Sequence, residues 1–80
     1  MKTLENRMSE IRNKKGISQA ELAFLLNVSQ KTISSWEVGR TIPKPFQMQH
    51  LEDIFKVPKE RIFFTAFNYK NELNEKEAVK

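Results

Sequence analysis

Cysteine is absent from the 80-residue chain, which removes disulfides, thiolate nucleophiles, iron–sulfur clusters and the commonest structural zinc sites in one step. His50 is the single histidine, so no pair of imidazoles is available to hold a metal. Two glycines and three prolines leave no glycine-rich phosphate loop and no low-complexity linker. No apolar run approaches the roughly 20 residues of a membrane span, and Lys2, Glu5 and Arg7 stand where an export signal needs an apolar core. A chain of this length has little room for a deep cavity, so an enzyme is not expected, nor a metal, a cofactor or a membrane partner. The expected setting is cytoplasmic, associated with the nucleoid.

Leu, Ile, Val and Phe supply 22 of the 80 residues, above the roughly 20% below which a charged chain stays disordered. One folded domain over residues 1–64 is expected, followed by a polar tail over 65–80 that is at most a weak helix. The net charge of +4 is unevenly placed. All of the basic excess falls in the segment that ends at Lys44, whereas the remainder of the chain is balanced. Such a distribution suits a face that meets a polyanion.

Hydrophobic spacing predicts five short helices and no strand. Leu4, Met8 and Ile11 give the first, about Leu4 to Lys15, closed by Gly16 in a left-handed conformation. Ser18 stands three residues before Glu21, the capping-box pattern, and predicts a second helix from about Gln19 to Leu26. Asn27 tolerates positive φ, and Ser29 caps a third helix from Gln30 to about Val38, with Ile33 and Trp36 on its inner side. Ile42, Pro43, Lys44 and Pro45 make a stiff loop; Pro45 opens a fourth helix to about Phe55, and Lys59–Phe64 makes a fifth.

The joint between the second and third helices is the informative feature. A capped helix, a three-residue turn and a second capped helix project the latter outward at a steep angle, a shape that fits the roughly 12 Å major groove of B-DNA. Ser18 to Arg40, SQAELAFLLNVSQKTISSWEVGR, resembles the helix-turn-helix of the phage Cro and repressor family, also called the xenobiotic-response-element type. Matching positions are Gln19, Leu22, Ala23, Val28, Ser29, Ile33, Ser34, Trp36, Glu37 and Gly39. The similarity extends from Arg7 and Arg12 through Pro43, Leu51, Val57 and Ile62. It implies an all-α, five-helix lambda-repressor-like domain that binds double-stranded DNA as a transcriptional regulator, with repression the expected output. Asn27 and Lys56 depart from the pattern, since both replace glycines common in the family.

Gln30, Lys31, Ser34 and Ser35 are the candidate base contacts, because they occupy the faces of the third helix that Ile33 and Trp36 leave free. Ser18, Gln19, Thr32, Arg40, Thr41 and Lys44 are candidate phosphate contacts, at the start of the second helix and around the third; Lys14 and Lys15 are weaker ones. Arg12 and Glu37 occupy positions that, by the resemblance, pair and lock the first helix to the third. Trp36 is expected in the packing and His50 in solvent. A homodimer reading two half-sites is expected. The rival is a protein-interaction module, an antitoxin or anti-repressor, that binds a partner through Phe24, Leu25 and the tail; Phe24 and Leu25 are apolar where the family is usually polar, and packing against Phe67 or Tyr69 is the other account of them.

Overall fold

Side-chain caps set where the helices begin. In the computed structural model, which describes residues 5–64, Ser18 Oγ accepts from the Glu21 N–H at 3.0 Å and a Glu21 oxygen accepts from the Ser18 N–H at 2.8 Å. This reciprocal box opens a helix at Gln19. Ser29 Oγ accepts from the Thr32 N–H at 3.1 Å and opens the next. At Lys44 the backbone N–H donates to Gln47 Oε1 at 2.7 Å, with Pro45 in the first helical turn. The described residues form α1 (Met8–Lys14), α2 (Gln19–Leu26), α3 (Gln30–Glu37), α4 (Pro45–Phe55) and α5 (Lys59–Ile62), with no strand among them.

Left-handed residues end four of these helices or the turns that follow them: Gly16 at φ 72°, Asn27 at φ 57°, Gly39 at φ 78° and Lys56 at φ 62°. At Asn27 the reversal lets the Val28 N–H return to the Ala23 carbonyl at 3.0 Å, so the α2 terminus is satisfied and the chain turns at once into α3. The two departures from glycine therefore carry positive φ, with the strain that an L-residue incurs there.

The first helix is shorter than its spacing suggests. It begins at Met8, not Leu4, because Asn6 Oδ1 accepts the Met8 N–H at 2.9 Å and the Arg7 N–H donates to the Ile62 carbonyl at 2.8 Å. Residues just before Met8 are held by the end of α5 instead of by a helical turn. The third and fifth helices likewise stop one and two residues early, at Glu37 and Ile62, with Val38 and Phe63 in the capping positions. Leu4, the tail over 65–80, and Phe67 and Tyr69 lie outside the described residues.

One core joins all five helices. Met8 and Ile11, Leu22, Ala23 and Leu26, Ile33 and Trp36, then Met48, Leu51 and Phe55, with Ile62 and Phe63, are all buried. The principal contacts run between α2 and α3, between α1 and α3, and between α4 and α5. Thus α3 rests on two neighbours while its remaining faces stay accessible.

A Cβ added at Gly16 would meet nothing within 4 Å, so Gly16→Ala should lose stability through backbone strain alone, about 1 kcal/mol in chemical denaturation. Glu52 ties α4 to α5: its carboxylate accepts the Lys59 backbone N–H at 3.0 Å, and this bond first, then those from the Lys59 and Gln49 side chains, hold its pKa below the ordinary 4.5. A folded-state pKa depressed in this way stabilises the protein above the ordinary value, and the contribution fades as pH falls through the folded one. The melting temperature of Glu52→Gln should therefore drop less than that of the parent protein on acidification from neutral pH to below 4.5.

Candidate nucleic-acid interface

The outward side of α3 and the ends of the elements beside it carry the polar residues singled out from the sequence. Ile33 and Trp36 face inward at 0% and 3% exposure, which fixes the rotation of the helix about its axis. Gln30 and Lys31 are then exposed in its first turn, with Ser34 and Ser35 half-buried further along. Ser35 shares a 2.9 Å hydroxyl–hydroxyl hydrogen bond with Thr41, and the Arg40 N–H donates to the Ser35 carbonyl at 3.0 Å. The loop after α3 is folded back against its last turn. The Thr32 hydroxyl sits 2.9 Å from Ser29 Oγ, within the N-terminal cap.

The side chains of α2 and α3 are joined where the helices begin. Gln19 Nε2 donates to Glu37 Oε1 at 2.9 Å, and Gln30 Nε2 donates to Gln19 Oε1 at 3.3 Å. Gln19 is half-buried, Ser18 and Gln30 exposed, and together with Arg12 they border an open concavity of about 520 Å³. Ser18 is occupied as a cap through its oxygen, whereas Gln19 keeps one N–H free of the contacts described.

Beneath this surface lies a buried ion pair. Arg12 Nε donates to Glu37 Oε2 at 2.6 Å, with side-chain exposures of 11% and 7%, and Arg12 Nη1 donates to the Ile17 carbonyl at 2.8 Å. Glu37 thus receives Arg12 on both oxygens, the second at 3.5 Å from Nη2, and Gln19 on Oε1 as well. No buried side-chain nitrogen or oxygen among the described residues lacks a partner.

Charge is distributed by the same packing. Lys14, Lys15, Lys31, Arg40 and Lys44 are exposed, and none forms an ion pair with an acidic side chain among the described residues. Arg7 differs, because Glu10 lies 3.2 Å away; the hydrogen bond between them, reinforced by their opposite charges, raises the arginine pKa and lowers the carboxylate's. His50 is exposed and Trp36 buried. Phe24 is 84% exposed and Leu25 51%, and with Ala20 and Glu21 they line a separate apolar groove on α2.

Nothing in the sequence singles out Asn6. Its Nδ2 donates to the Trp36 carbonyl at 2.8 Å while its Oδ1 holds the start of α1, so one amide joins the two helices. Asparagine before a helix signals a cap; nothing local signals the reach to Trp36. The bonds from Gln19 to Glu37 and Gln30 likewise span residues distant in the chain and have no local signature.

A family model described as helix-turn-helix matches residues 8–62, most of the chain and all five helices. No curated protein matches the chain. No helix among the described residues is long and apolar enough to cross a membrane.

Removal of one member of a buried ion pair strands the other charge. Arg12→Ala should therefore cost about 3 kcal/mol in denaturant unfolding, whereas the paired replacement Arg12→Met with Glu37→Leu should cost clearly less than either single truncation.

Proposed function

The chain belongs to the Cro/C1-type helix-turn-helix family of DNA-binding transcription regulators, and from that premise we propose that it inserts α3 into the major groove of an operator and acts as a repressor. The observation that carries this reading is the first turn of α3, where Gln30 and Lys31 stand exposed above the buried Ile33 and Trp36. A glutamine can make two bonds to adenine, at N6 and N7, and a lysine can donate to guanine O6 or N7, each worth about 1–3 kcal/mol of discrimination. Ser34 and Ser35 face the groove beyond them. Gln19 at the start of α2, with Ser18, Thr32, Arg40, Thr41 and Lys44 around α3, meets phosphates and fixes the approach. Lys31, Arg40 and Lys44, exposed and without an ion-pair partner among the described residues, supply the charge that displaces counterions.

The active species is a homodimer whose two α3 helices enter successive major grooves about 34 Å apart, and repression follows from occupying a promoter. Val38, Ile42 and Phe46, exposed at 51%, 43% and 64% on and beside the α3–α4 connection, support a contact there with a second copy of the chain. A second reading is favoured by the exposure of Phe24 and Leu25, which suits an antitoxin or anti-repressor that binds another protein and uses DNA contact secondarily.

Selection of bound sequences from a random duplex library separates these readings. Gln30→Ala should lose about 1–3 kcal/mol on the preferred site and relax one or two positions in each half-site. Arg40→Ala and Lys44→Ala should weaken all sequences alike and lower the dependence of affinity on salt. The major-groove reading fails if Gln30→Ala and Lys31→Ala, both folded, keep the parental affinity and base preference while Phe24→Ser abolishes association with a copurifying protein.

A further inference from the structure

Four side chains form a continuous hydrogen-bonded series from the interior to the first turn of α3: Arg12, Glu37, Gln19 and Gln30. Its first two members have no freedom of sense. A guanidinium only donates, and a carboxylate only accepts. Arg12 donates to both Glu37 oxygens, from Nε to Oε2 at 2.6 Å and from Nη2 to Oε1 at 3.5 Å, and Oε1, an acceptor only, also receives Gln19. Gln19 must therefore turn its NH2 inward, at 2.9 Å, and its oxygen outward. Gln30 can meet that oxygen only with its own NH2, as it does at 3.3 Å. The orientation of each amide follows from the acceptor before it, whatever the rotation that either side chain would prefer alone.

Gln30 is then left with its oxygen and one N–H for the groove. That edge complements adenine, which offers a donor at N6 and an acceptor at N7. The opposite sense would place the Gln30 oxygen on Gln19 and leave both N–H groups outward, an edge made for the two acceptors of guanine, O6 and N7. We propose that Glu37 is a specificity-determining positioning residue, which through Gln19 sets the amide sense of Gln30 and so selects adenine over guanine at the base pair Gln30 meets. This rests on the insertion of α3 into the major groove.

Glu37→Gln tests the inference directly, because Arg12 still requires an acceptor. Arg12 Nε, which makes the shorter bond, would hold the new amide by its oxygen, the long Nη2 contact would be lost, and the amide NH2 would face Gln19; Gln19 would turn over, and Gln30 after it. Selected sequences should change from adenine to guanine at one position per half-site, with about a tenfold reversal in relative affinity and the other positions unaltered. Since the variant also removes the counter-charge of Arg12, binding is measured well below its melting midpoint, and Gln19→Met provides a second route. Methionine breaks the series without touching the ion pair, so adenine-to-guanine discrimination at that position should fall about tenfold toward equality, while any lost phosphate contact lowers affinity for all sequences equally.

Retained adenine preference in folded Gln19→Met, or in folded Glu37→Gln, overturns the role of Glu37. The parallel Gln30→Ala variant distinguishes the levels of failure. If it relaxes that position while Gln19→Met does not, Gln30 reads the base unaided; if it alters no position, α3 does not read bases through Gln30 and both readings fall.

Discussion

The Arg12–Glu37 pair is the contact on which the arrangement of the other helices depends. Its two members lie 25 residues apart and join α1 to the end of α3, at a depth where neither charge could remain alone. Arg12 also holds the Ile17 carbonyl at the approach to α2, so three helices are referred to one guanidinium. Packing alone would leave α3 free to slide or roll, because Ile33 and Trp36 offer only two apolar anchors on an eight-residue helix. A directional, nearly dry ion pair removes that freedom. Asn6 adds a second tie between the same helices from the opposite end of α1, with its 2.8 Å bond to the Trp36 carbonyl.

Much of the fold is legible in the sequence because its signals are local. Ser18 with Glu21, Ser29 at the third helix, and Pro45 at the fourth are short-range rules of backbone hydrogen bonding, and the helices begin where those rules place them. Spacing overextends the first helix because Leu4 continues the apolar pattern, while the feature that stops the helix, the bond from the Arg7 N–H to Ile62, joins distant parts of the chain. The same distinction divides the candidate site. Exposure of Gln30 and Lys31 follows from helical periodicity about Ile33 and Trp36, which any reader of the sequence can count. The links from Gln19 to Glu37 and Gln30 depend on the angle between α2 and α3, which periodicity does not encode.

Phe24 and Leu25 mark where local rules and tertiary placement give different accounts. An apolar pair in the middle of a helix ordinarily signals burial, yet the buried stripe of α2 runs through Leu22, Ala23 and Leu26 and leaves Phe24 outside. Phe55, Leu51 and Ile33 are fully enclosed without it. Large exposed aromatics raise the risk of nonspecific association unless something covers them. Among the described residues nothing covers them, which is the observation behind the proposed protein-partner reading.

The composition of α3 suits the proposed division of labour between folding and DNA recognition. Gln30, Thr32, Ser34 and Ser35 include residues of poor or middling helix propensity, and a helix of eight residues would not persist alone in water. Its stability comes instead from the Ser29 cap, from two buried side chains and from the Glu37 carboxylate tied to Arg12. All of these lie at the helix ends or on its inner side. The outward positions contribute little to holding the helix, so they can carry side chains chosen for what they present to a base edge. Gln30 is the exception that joins the two roles, because its amide is bonded to Gln19 and through it to the same carboxylate that anchors the helix. Under the proposed role of Glu37, a change in the buried pair reaches the outer surface as a change of hydrogen-bonding sense.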